Sequence, residues 1–202
     1  MTDSGLGFAG VAYFVEHTLA QITCVFAVVI ALLQLGLYVN NRNDTQYGWT
    51  FVAVAGYATF SLSSFMPVLP HAWQLVWLAV LYCGVQACAM GGCIYFLNEC
   101  GVSHTVYSRV AGAWGGLFLA AYGGYAAWAG AALPNTYVLA WIAGLGVMGL
   151  YPAWCLGLLV VQHRRWEHMV FLLTYVAVGG AALFDTTRMF GNPLGLTTVP
   201  LL

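Results

Sequence analysis

The sequence predicts an all-α polytopic membrane bundle of six transmembrane helices with its N-terminus outside. Three observations carry this expectation. Of 202 residues, 62% are hydrophobic and 5% carry charge, whereas a soluble domain needs about a quarter charged side chains to hold a hydrated surface. Apolar runs near the bilayer-spanning length of about 20 residues recur along the whole chain. Four of the five arginines fall in alternate connections between those runs.

The first run is expected over Val15–Val39 and is closed by the polar stretch Asn40–Asp44. The second runs over Tyr47–Met66 and is stopped by Pro67 and Pro70, since proline cannot donate to a helix ladder. The third covers Trp73–Leu97 and ends at Asn98 and Glu99. The fourth covers Val106–Leu133 and ends at Pro134 and Asn135. The fifth covers Thr136–Val161 with Pro152 inside it. The sixth covers His168–Phe190 and is closed by Gly191, Asn192 and Pro193. The tail Pro193–Leu202 is apolar but too short to span as a helix. It reads as an interfacial tail, a re-entrant piece or the start of a seventh helix of a longer chain.

Orientation follows from the arginines. Arg42 lies after the first run, Arg109 between the third and fourth, and Arg164 and Arg165 between the fifth and sixth. The positive-inside rule makes those connections cytoplasmic. Only Arg188 falls at the opposite end. The N-terminus lacks the basic region of a cleaved signal peptide, so the first run is expected to act as the insertion signal. The expected location is the inner membrane of a bacterium. One transmembrane domain over 1–202 is expected, because no connection is long enough to hold a soluble insert.

Composition removes several chemistries. Five basic residues and a net charge of -1 leave no basic footprint for nucleic acid. No lysine is present, which rules out a Schiff base to retinal. The six cysteines are scattered without a C-x-x-C pair and read as small hydrophobes, not as a disulfide or zinc framework. Cys88 and Cys93 are five residues apart and point about 140° apart on a helix, a poor arrangement for sharing one soft metal ion. No nucleophile–base pair, zinc-protease motif or phosphate loop occurs, so a non-enzymatic reading leads. The identity of any cofactor is left open.

The candidate site is the outer end of the bundle. Asp185 and Arg188 are three residues apart at the end of the sixth run, on neighbouring parts of one helix face. Thr174, Val178 and Ala181 lead to Asp185 at helical spacing. Charge at the edge of a bilayer is expensive and normally faces protein or water. Glu16 and His17 open the first run at similar depth, Gln21 shares the face of His17, and His71 lies in the second connection. Such a wall suits a small polar or anionic ligand, or a proton relay. The plainer alternative is an interfacial ion pair with solvated neighbours.

A second set lies at mid-membrane. Gln34 is on the first run and Gln86 on the third, where Tyr82, Gln86, Met90 and Cys93 follow one face. Interhelical hydrogen bonds account for such residues; a ligand pocket is the functional alternative. Glycines such as Gly112 and Gly116 let helices approach closely, within the chain or across a homo-oligomer seam. The loop from His163 to His168 reads as an orientation signal with headgroup contacts, or as a docking point for a cytoplasmic partner.

Two resemblances bear on function. Tyr38, Arg42, Asp44, Tyr47 and Trp49 form an aromatic, a short charged turn and a second aromatic. Phe96 and Leu97 are followed by a short turn and by Tyr107 and Arg109, the connection between the third and fourth runs. The pattern, up to Arg109, resembles the seven-helix membrane input regions of bacterial sensor kinases and cyclases. It implies a non-enzymatic sensor or ligand-binding module and a seventh helix leading inward. Tyr151, Pro152 and Trp154 resemble the Tyr-Pro pair of microbial rhodopsins, and Asp185 their counterion, but Met189 stands where their lysine would be. The leading expectation is a receptor or sensor in signal transduction. The alternatives are a small-solute or proton-coupled transporter or channel, and a structural or pigment-holding subunit of a membrane complex.

Overall fold

The computed structural model describes residues 20–62, 70–163 and 166–191, with side chains for all of these except 20, 71–72 and 181–191. Among the described residues the fold is six α-helices and no strand: α1 Ala20–Asn40, α2 Thr45–Ser61, α3 His71–Glu99, α4 Thr105–Ala129, α5 Asn135–His163 and α6 Trp166–Gly191. The six apolar runs each become a helix, with ends that follow local chemistry. Asp44 caps α2, its carboxylate accepting the Gln46 backbone N–H at 3.1 Å. α3 ends in a Schellman turn, in which the Val102 and Gly101 N–H groups donate to the Leu97 and Asn98 carbonyls. Gly101 sits there at φ 65°, a conformation that costs a side chain-bearing residue free energy.

Three of the helices contain stretches long and apolar enough to cross a membrane: Gln21–Asn40, Trp73–Glu99 and Asn135–His163. The sequence expectation was six. The described α2 has 17 residues, with threonine and glutamine in its first half. α4 is rich in glycine, tyrosine and tryptophan, which add little hydropathy. α6 begins with Trp166, Glu167 and His168 and ends with Asp185 and Arg188.

The chain divides into two compact units, Met1–Cys88 and Ala89–Leu202. In the first, α1 packs along α2. Cys24, Ala27 and Ala31 lie buried on one stripe of α1, and the Cys24 thiol reaches the Ala58 carbonyl at 3.7 Å. The opposite side of α1 is open, with Phe26 64% and Leu32 62% exposed. An exposed apolar face of that extent is costly in water and at ease in hydrocarbon. Tyr38 covers Gly48, where a Cβ would lie 3.1 Å from its ring. α2 and α3 cross at Gly56 and Gly84. A Cβ on Gly56 would stand 2.5 Å from the Cys88 backbone nitrogen and the Gly84 oxygen, so the helices meet backbone to backbone.

In the second unit α5 packs along α6 and, over a smaller area, against α4. Phe118 stacks on the buried Trp141 with centroids 4.5 Å apart. The Trp114 indole lies over Gly144 and donates to the Trp141 carbonyl at 3.3 Å.

Candidate functional site

The expected outer wall is described only in part. Glu16 and His17 lie outside the described residues. Gln21 stands on α1 and is exposed. Asp185 and Arg188 lie on α6, whose backbone is helical through Gly191; their side chains are outside the described set. His71 is the first residue of α3. On the stripe that leads to Asp185, Thr174 and Val178 are exposed, so the described part of that stripe is open.

The mid-membrane residues are better defined. Tyr82, Gln86 and Cys93 are all buried, as their shared face of α3 requires. Gln34 keeps a buried side-chain oxygen with no hydrogen-bond partner, a condition that costs about 1–3 kcal/mol.

The second unit contains a polar knot absent from the sequence expectations. Tyr175 of α6 donates from its hydroxyl to the Gly149 carbonyl of α5 at 2.7 Å. The same oxygen lies 3.4 Å from the Cys93 sulfur, and Tyr107 engages that thiol as well. Local sequence explains the meeting point. Pro152 leaves the Met148 carbonyl without its helical donor, next in the chain to the Gly149 carbonyl that Tyr175 takes. Gly149 has no side chain, and a Cβ there would stand 3.2 Å from the Tyr175 oxygen. The available signal was an aromatic hydroxyl inside an apolar helix whose partner helix pairs proline with glycine.

Beside this knot is a groove of about 360 Å³, formed by the end of α3 and the first turns of α6. Tyr95 and Phe96 line one wall and Trp166, Glu167, Val170, Phe171 and Thr174 the other. Phe96 is fixed edge-on against Tyr95 at 5.3 Å and against Tyr175 at 4.8 Å. Tyr95 also hydrogen-bonds the Glu99 carboxylate one turn along α3.

The loop after α3 holds a guarded thiol. Burial pushes the Cys100 thiol up to about 11 from an ordinary 9.0, helped by the nearby Cys155 and Glu99. The Asn98 side-chain oxygen accepts from His104 Nδ1 at 2.8 Å, closing the same loop. At the other junction the His163 and His168 rings lie 5.7 Å apart at 66°; Arg164 and Arg165 between them lie outside the described residues. No protein-family model, curated protein or solved structure matches this chain.

Proposed function

We propose that the chain is a six-span membrane protein that takes a small polar or anionic ligand at its outer end and acts as a non-enzymatic sensor or ligand-binding module. The observation that carries this reading is the continuity of α6 through Gly191. Asp185 and Arg188 therefore stand one turn apart on a single helix, which α5 packs along. An arginine on the outer side contributes nothing to orientation, so its retention there calls for a partner: Asp185, Glu16 or a bound anion. Val178, two turns before Asp185 on the same stripe, is exposed.

Six crossings are supported by length and pairing. α4 and α6 have 25 and 26 residues, about 38 Å of helix each, against a hydrocarbon core of about 30 Å. α2 packs along α1, which is itself long and apolar enough to cross. With Arg42, Arg109, Arg164 and Arg165 inside, the N-terminus is outside. A bacterial inner membrane is the location that fits this arrangement.

The test is Arg188→Gln and Asp185→Asn in the purified protein, read by native mass spectrometry, absorbance and thermal melting in mild detergent. The wild type is expected to retain a small molecule that both variants lose, with a lower melting temperature. Unchanged ligand content and stability would return the pair to an ordinary interfacial salt bridge. Proton or solute flux in liposomes, abolished by Asp185→Asn, would favour a transporter instead.

A further inference from the structure

The groove between α3 and α6 is about 18 residues of α6 away from Asp185, or roughly 27 Å along the helix, and its chemistry is different. Four of its seven lining residues are aromatic: Tyr95, Phe96, Trp166 and Phe171. The Phe96 wall is held in place, because Tyr175 behind it is anchored on the Gly149 carbonyl. Its volume of about 360 Å³ falls in the range of small-molecule sites, about 300–1,000 Å³. Glu167, an exposed residue with no ion pair to any described residue, borders the groove. A second carboxylate, Glu99, stands on Tyr95. Aromatic faces are electron-rich, and together with a carboxylate they attract a cation while rejecting an anion. The apolar remainder of the wall requires that the cation carry apolar substituents.

We propose that this groove binds a lipophilic organic cation, its charge against Glu167 and its substituents against Phe96, Trp166 and Phe171. Its place at the ends of two helices, with a tryptophan on the rim, suits a ligand that partitions between water and the bilayer. Arg164 and Arg165 precede Trp166 in the sequence, so an anionic amphiphile is the outcome to be excluded.

The experiment uses the full chain in dodecyl maltoside and two probes of nearly equal shape and opposite charge, tetraphenylphosphonium and tetraphenylborate. Equilibrium dialysis against protein-free micelles gives the specific binding of each. Saturable binding of the phosphonium at one per chain is expected, with no saturable binding of the borate in a separate dialysis. Glu167→Gln is expected to weaken it at least fivefold and Phe171→Ala at least threefold, with Glu167→Asp recovering most of the loss. Circular dichroism and melting separate loss of binding from loss of fold. Should Glu167→Gln fail to fold, Phe171→Ala and the two probes still decide. Absence of saturable phosphonium binding to the wild type, equal or tighter borate binding, or indifference to both substitutions would overturn the proposal. None of these outcomes bears on Asp185 and Arg188.

Discussion

Gly56 and Gly144 illustrate how the same short distance carries different consequences. A Cβ at either position would stand 2.5 Å from its nearest neighbour. At Gly56 those neighbours are backbone atoms of α3, which can retreat only if two helices part. At Gly144 the neighbour is the Trp114 indole, itself 36% exposed, which can swing aside at the loss of one hydrogen bond. Gly56→Ala is therefore expected to cost about 1–3 kcal/mol as overpacking, and Gly144→Ala about 1 kcal/mol or less. Melting of the two variants in detergent checks the order; an equal or reversed ranking contradicts the close crossing at Gly56 and Gly84. Tyr175→Phe keeps the ring against Phe96 and deletes the hydroxyl that holds Gly149. A loss of about 0.6–1 kcal/mol is expected from one interhelical hydrogen bond, measured the same way. No change would mean that the α5–α6 seam is held by packing alone.

At the scale of elements, the helices were legible and their ends less so. Apolar runs, prolines and polar turns located all six. The fourth was expected to reach Leu133, but Gly130 takes a left-handed conformation at φ 62° and donates to the Ala126 carbonyl, so α4 stops at Ala129. Composition counts such a glycine as one more small residue of the helix. α3 was expected to stop at Leu97 and continues to Glu99, because Gly101 terminates it and Asn98 is tolerated in its last turn. The turn that follows presents Cys100 in a half-buried position. Its raised value keeps the proton where the unfolded chain has lost it. The thiol therefore makes no pH-dependent difference to folding below about pH 9.0, and stability from this group falls as pH rises from 9.0 toward 11. In a variant that keeps only Cys100 and Cys155, the rate of maleimide labelling at Cys100, read by peptide mass spectrometry, is expected to keep climbing past pH 9, where a free thiol levels off. A plateau near pH 9 would mean that the loop does not bury Cys100.

For the whole molecule, the hydrophobic balance and the recurrence of apolar runs made helices apolar enough to cross a membrane readable without a structure, three of them among the described residues. They did not distinguish strongly from weakly apolar helices, because glycine and aromatic residues count as apolar in composition yet add little to the drive for insertion. The candidate site was less legible. Of the four residues that the spacing puts on one face of α3, Tyr82, Gln86 and Cys93 are buried and Met90 is half-buried. The Tyr175–Gly149 bond and the groove beside it were missed, because they depend on which face of α6 meets α5, and helical spacing alone leaves that rotation open. Thr174, on the stripe singled out from the sequence, is exposed, while its neighbour Tyr175 turns toward the seam.

Everything proposed for the outer end rests on six crossings with Arg42 inside and Asp185 near the outside. Reporter fusions after residues 43, 68, 102, 132 and 164 test this most directly. Six crossings predict strict alternation: inside at 43, outside at 68, inside at 102, outside at 132 and inside at 164. If only α1, α3 and α5 cross, 43 and 68 report the same side, as do 102 and 132, and the account of Asp185 and Arg188 as an outer ligand site is contradicted.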